Sequence, residues 1–180
     1  MNVHHFFEKY NISINSIDSI SEYLIEYEAN NCIIIDTLPK KVSIENNYKF
    51  EQIEHHIYDK VYFEKILTIL KKLWLYDNMF FYSELLYTKK TKSNIPFFKR
   101  KEYKFLLNSK EKEITTVGQL ELLNKLNNNG IIDIAYFLNE FELLITPCWN
   151  CFLVYFNKND YRDLVQELIE LEGLFIRKIC

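Results

Sequence analysis

The sequence predicts a single α+β domain over residues 1–180, with a mixed or antiparallel sheet and three to five helices packed on it. Three observations carry this prediction. Apolar residues recur at helical spacing in several segments, short β-branched and aromatic runs of strand length lie between them, and no repeat, low-complexity stretch or Pro- or Ser-rich linker divides the chain. A chain of 180 residues that is 48% hydrophobic and 26% charged lies inside the globular range. At that length roughly 70% of the unfolded surface can be buried, so a core needs no disulfide staples.

Ser19 and Glu22 make a capping-box pattern, and Ile20, Tyr23, Leu24 and Tyr27 follow at helical spacing. They predict an amphipathic helix over 19–28 with Glu22 and Glu26 on its outer face. The β-branched run at Cys32–Ile35 reads as a buried strand stopped near Pro39, and Val42–Phe50 as a weaker second strand. Between Tyr58 and Tyr76 the residues Tyr62, Phe63, Ile66, Leu67, Leu70, Leu73 and Trp74 keep the 3.6-residue period, with Lys65, Lys71 and Lys72 elsewhere on the wheel. Asp77 and Asn78 stop that helix. Met79–Thr88 predicts a strand entering a hairpin through Lys89–Asn94, with Tyr103–Leu107 returning.

Thr116 and Gln119 form another capping box, Leu120, Leu123 and Leu126 supply the apolar stripe, and Asn127–Gly130 ends the helix. Ile131–Leu138 fits either strand or helix. Phe141–Thr146, Pro147–Asn150 and Cys151–Phe156 read as strand, tight connection and strand. Asp160 is placed to cap a helix whose Tyr161, Leu164, Val165, Leu168 and Leu171 face inward, Gly173 fits its left-handed end, and Leu174–Ile179 predicts a last strand.

The aromatic content is high, with 14 Phe and 13 Tyr against three Gly. Charge is banded along the chain. Residues 1–60 hold 5 basic and 10 acidic residues, 61–120 hold 12 and 6, and 121–180 hold 5 and 9. The N-terminus lacks a basic start followed by an apolar run, and no uncharged apolar run of membrane-spanning length occurs. The expected setting is therefore cytoplasmic, without membrane insertion, and the four cysteines are expected as thiols.

Motifs for catalysis are sparse. Cys148-Trp149-Asn150-Cys151 is the sole C-x-x-C, but its second cysteine opens an apolar run that reads as strand, whereas thioredoxin-like chemistry needs a helix N-terminus. Two core or turn cysteines are the plainer account, and a thiol or metal enzyme centred on them is the sharper one. His4-His5 and Glu54-His55-His56, with Asp59 one helical turn after His55, match no zinc signature. Gly118, Gly130 and Gly173 stand alone, so no phosphate-cradling loop, dinucleotide fingerprint or serine elbow forms. No enzyme, cofactor or metal is expected.

Two charged surfaces remain. Lys89, Lys90, Lys92, Lys99, Arg100, Lys101 and Lys104 alternate with Phe97, Phe98 and Tyr103, the mixture of charge and stacking surface that single-stranded nucleic acid favours. A solvated hairpin tip whose lysines guard an edge strand explains the same residues, and the acidic pI near 5.9 favours that account. On the last helix, Asp163, Glu167 and Glu170 share one face at i, i+4 and i+7, and Glu22 and Glu26 extend that surface if the two helices are neighbours. Such a row mimics phosphate and suits a cationic protein partner, while a soluble helix face is the bland alternative.

In general character over its whole length the chain resembles immunity proteins of bacterial polymorphic-toxin and contact-dependent growth-inhibition systems. The likeness lies in an acidic, Asn-, Ile-, Lys- and Tyr-rich chain with a late aromatic hairpin, Phe141–Phe156, followed by a helix. The resemblance implies a stoichiometric inhibitor that binds a cognate toxin domain, often a nuclease, and occludes its active site. The expected partner is thus a toxin domain met by Asp163, Glu167, Glu170, Glu22 and Glu26. The alternative is a single-stranded nucleic-acid-binding module using 89–104, with Lys99, Arg100 and Lys101 at its centre.

Overall fold

The computed structural model describes residues 3–12, 17–37, 61–85, 111–148 and 151–179. Strands β1 (Cys32–Asp36), β2 (Met79–Leu85), β3 (Glu111–Glu113), β4 (Ile132–Leu138), β5 (Leu143–Cys148), β6 (Cys151–Phe156) and β7 (Phe175–Arg177) form one sheet. Its order is β3-β2-β4-β5-β6-β1-β7, and every neighbouring pair is antiparallel. Among the described residues five α-helices accompany it: α1 (Val3–Tyr10), α2 (Ile17–Tyr27), α3 (Phe63–Tyr76), α4 (Val117–Asn128) and α5 (Arg162–Leu171). The fold is α+β, as the sequence predicts.

Helices cover both faces of the sheet. Side chains alternate along a strand, so Ile33 and Ile35, Phe152, Val154 and Phe156, and Leu143 and Ile145 point to one face. There they meet Ile66, Ile69, Leu70 and Leu73 of α3, Leu120, Leu123 and Leu126 of α4, and Val165 and Ile169 of α5. The opposite parity, Cys32, Leu153, Tyr155, Leu144, Ala135 and Phe137, meets Val3, Phe6 and Phe7 of α1 and Ile20 and Leu24 of α2. This explains the unbroken apolar runs Ile134–Leu138 of β4 and Cys151–Phe156 of β6, because an antiparallel strand alternates only when one of its faces is wet. It also settles Ile131–Leu138 as strand.

Helix α1, which the sequence reading did not anticipate, is too short to persist alone. Phe6 holds it, packing edge-on against Phe137 and Tyr155 with ring centroids 6.1 and 5.5 Å away. Full burial of one such ring is worth about 1.5–3 kcal/mol. Val3, Phe6, Phe7 and Tyr10 do carry helical spacing, so the signal was present.

The helix ends follow local chemistry. Thr116 accepts the Gln119 N–H while the Gln119 side chain accepts the Thr116 N–H, which completes the predicted capping box. At Gly130 and Gly173, with φ of +62° and +68°, paired bonds close the helix ends: Gly130 N–H to Asn127 and Ile131 N–H to Leu126, then Gly173 N–H to Glu170 and Leu174 N–H to Ile169. Lysines of α3 join it to its neighbours. Lys71 pairs with Glu121 of α4, Lys72 pairs with Glu172 just beyond α5, and Lys65 Nζ donates to the Gly173 carbonyl at 3.1 Å.

Several boundaries differ from expectation. Helix α2 begins at Ile17, so Ser19 lies within it and is not its cap. Helix α5 has Tyr161 at its N-cap with no side-chain capping bond, and Asp160 lies one residue too early. Strand β5 runs on through Pro147, which is tolerated because the pairing with β4 reaches only Ile145. The α-helical part of α3 starts at Phe63 after a wide turn at Val61 and Tyr62. The expected strands 42–50 and 103–107 and the turn 89–94 lie outside the described residues.

Two polar contacts fix the geometry around the sheet. The Tyr62 hydroxyl donates to the Ile35 carbonyl at 2.7 Å and accepts the Phe152 N–H at 3.0 Å, and those residues are register partners of β1 and β6. A side-chain hydroxyl therefore stands inside the ladder. At the β4–β5 turn, buried Asp77 accepts the N–H groups of Glu140 and Phe141, both at 2.9 Å, and Glu142 adopts a left-handed φ of 48°. The Glu142 carboxylate accepts from Asn157 and Lys158.

Replacing Tyr62 by Phe leaves the Phe152 N–H and the Ile35 carbonyl without this partner, and about 1–3 kcal/mol of stability should be lost. Urea denaturation checks it, and a loss below about 0.5 kcal/mol would show that the strands simply close up. Hydrogen bonds from Lys158 and Asn157 hold the Glu142 carboxyl below its ordinary pKa. A depressed folded pKa stabilises the protein above the unfolded value, and the contribution is lost as the pH falls through the folded one. Glu142→Gln should therefore flatten the loss of stability on acidification below about pH 4.5. Thermal melts from pH 3 to 7 test this, the approximate range over which carboxylates titrate; an unchanged profile would contradict it.

Candidate functional site

The outward face of α5 is where the structure departs most from the predicted pattern. Only Val165 and Ile169 are buried on this helix. Leu164 and Leu171, expected to face inward, are 38% and 70% exposed. The reason lies in helical geometry: at 3.6 residues per turn, Glu170, Asp163, Glu167, Leu171 and Leu164 succeed one another around one continuous arc of about 120°. Asp163, Glu167 and Glu170 are exposed too. The helix shows water an acidic row bordered along its length by two leucines.

The remaining predicted acidic residues do not join this face. Glu22 and Glu26 are exposed on α2, but α2 packs on the opposite side of the sheet from α5. Glu172 is engaged by Lys72. Lys99, Arg100 and Lys101 of the basic hairpin lie outside the described residues, as do Glu54, His55, His56 and Asp59, while His4 and His5 are exposed on α1.

A cleft of about 390 Å³ opens beside the first turn of α5, lined among others by Asn30, Cys32, Arg162, Asp163, Gln166 and Lys178. Its groups serve the fold. The Arg162 guanidinium donates to the Asn30 carbonyl at 3.2 Å and to Asn159 Oδ1 at 3.3 Å, and it lies over the Phe156 ring. Burial pushes the Cys32 thiol up to about 12, which removes it as a nucleophile.

A second constellation sits at the β1–β6–β7 end of the sheet. Asp36 is buried and ion-paired with Arg177 of β7. The Arg177 Nη2 lies 3.6 Å from Cys151 Sγ, and the Cys151 thiol donates to Asp36 Oδ2 at 3.5 Å. Cys148 stands directly opposite Cys151 in the β5–β6 register. The sequence reading found the two cysteines but missed the ion pair, whose partners are far apart in the chain and carry no local motif. Among the described residues no group of three or more His, Cys, Asp or Glu is placed to hold a metal ion. Among them, too, no helix is long and apolar enough to cross a membrane.

No protein-family model, curated protein or solved structure matches the chain. The site must be read from its own chemistry.

Arg177→Met removes the cation paired with the buried Asp36 carboxylate, and a loss of about 3–5 kcal/mol is expected. Adding Asp36→Val should restore most of it, because the cost lies in a buried carboxylate left without its guanidinium. Guanidinium denaturation of the two variants decides this; a single variant within about 1 kcal/mol of the parent would mean the pair is solvated and weak.

Proposed function

We propose that the protein is a stoichiometric binding protein that neutralises a cognate bacterial toxin domain, with the outer face of α5 as its principal contact. The reading is supported by one observation above others. Asp163, Glu167 and Glu170 stand exposed beside exposed Leu164 and Leu171 on one rigid helix. A solvated helix face needs the acids but not the leucines, whereas a docking helix uses both. Apolar side chains supply the desolvated centre of an interface, and a single-sign charge row steers and aligns an oppositely charged partner.

A basic toxin domain, for which nucleases are the natural case, presents the matching field at its substrate cleft. An acidic row laid there competes with phosphate and blocks access without any bond being made or broken. The Lys72–Glu172 pair at the C-terminal end of α5, together with the Val165 and Ile169 packing, holds the helix in place before a partner arrives. Preorganisation of this kind lowers the entropic cost of association.

The experiment takes the basic toxin domain encoded beside this gene and measures its binding to the full chain by surface plasmon resonance at two salt concentrations. Changing Asp163, Glu167 and Glu170 together to Lys should lower the association rate by roughly tenfold or more and reduce its salt dependence. Leu164→Ser with Leu171→Ser should instead speed dissociation. All five positions are exposed, so folding should survive. A neighbouring toxin domain that binds both variants as tightly as the parent chain would refute the assignment to α5, and a gene neighbourhood without any toxin-like reading frame would refute the function.

A further inference from the structure

We propose that Cys148 and Cys151 form a redox-modification site that takes a hydroperoxide and closes to a reversible cross-strand disulfide, with Cys151 the thiol oxidised first. The inference is independent of the role given to α5. Cys148 and Cys151 are both thiols and direct register partners, joined by a two-residue connection, so their side chains leave the same face of the hairpin. Opposed residues of an antiparallel pair have Cα atoms about 4.5–5.5 Å apart, within the roughly 4.4–6.8 Å that a disulfide spans.

Their surroundings differ and assign their roles. Cys148 is buried at 4% exposure, whereas Cys151 is half-buried and within reach of a small oxidant. Cys151 has a proton acceptor and a cation already in place, with its thiol directed at Asp36 Oδ2 and Arg177 Nη2 beside the sulfur. A guanidinium next to a thiol favours the thiolate, the nucleophilic form. Arg177 Nε is buried and has no acceptor among the described residues. An oxygen added to the Cys151 sulfur would be an acceptor beside the same guanidinium.

The chemistry balances. The Cys151 sulfur attacks one oxygen of hydrogen peroxide, the O–O bond breaks, and the thiol proton passes through Asp36 to the departing hydroxide, which leaves as water. Sulfur is oxidised to a sulfenic acid while peroxide is reduced. The Cys148 sulfur then attacks the Cys151 sulfur, the S–S bond forms, the S–O bond breaks, and the hydroxide carries away the Cys148 proton as a second water. Two thiols and one peroxide give one disulfide and two waters, and a dithiol reductant restores the pair.

The test treats the full chain with hydrogen peroxide and maps its peptides by mass spectrometry with and without dithiothreitol. The expected product is a disulfide between Cys148 and Cys151 that dithiothreitol reverses, while Cys32 stays reduced. In the Cys148→Ser variant, dimedone should trap a sulfenic acid at Cys151. Arg177→Lys should retain most of the rate, and Arg177→Gln, checked for folding by circular dichroism, should slow it markedly because the cation beside the sulfur is gone. The proposal is overturned if Cys151 remains a thiol under peroxide that oxidises glutathione, if it pairs with Cys180 or a second copy of the chain, or if Cys32 reacts at the same rate.

Discussion

Water cannot be allowed to reach either face of this sheet, and that constraint arranges the rest of the molecule. The central strands are apolar at both parities, with Tyr136 and Phe137 adjacent on β4 and Val154 and Tyr155 adjacent on β6, all almost fully buried. An antiparallel sheet built so has to be covered twice. Helices α3, α4 and α5 supply one layer, and α1 with α2 the other. Among the described residues the second layer has fewer helices and leans on rings: Phe6, Phe7, Tyr10 and Tyr23 pack against one another there.

How much of this was legible in the sequence follows from how local each signal is. The capping box at Thr116, the left-handed glycines at Gly130 and Gly173, and the strand pair around Pro147 depend on residues within a few positions of one another, and the structure has them. The inward placement of Leu164 and Leu171 failed because a periodic stripe does not reveal how wide a neighbour's contact is. Here α5 touches the sheet through Val165 and Ile169, and the leucines at the margin of the stripe are left outside. The Asp36–Arg177 pair and the Tyr62 hydroxyl in the ladder had no signature at all, since each joins distant segments whose meeting only the strand order decides.

The banded charge of the sequence takes on a different meaning in the fold. Part of the basic middle segment is consumed internally, as Lys71 and Lys72 of α3 neutralise Glu121 and Glu172 from the acidic last third. These are partly exposed pairs and contribute little to stability individually. Their effect is one of selection. They withdraw Glu121 and Glu172 from the acidic surface and leave Asp163, Glu167 and Glu170 as the exposed row on α5.

The sheet edges bear on where recognition can occur. An unpaired edge strand is the usual place for another chain to add itself, and proteins discourage this with short, charged edges. Among the described residues both edges fit that description. β3 is three residues long and reads Glu-Lys-Glu, and β7 is three residues long, ending in Arg177 with Lys178 next. Strand addition is thereby disfavoured, and a helix face becomes the better platform. β7 also follows α5 directly through Gly173 and Leu174. The buried Asp36–Arg177 pair thus fixes the strand to which α5 is tied, so oxidation at Cys151, in contact with both charges, would act on the anchorage of α5 rather than on its exposed face.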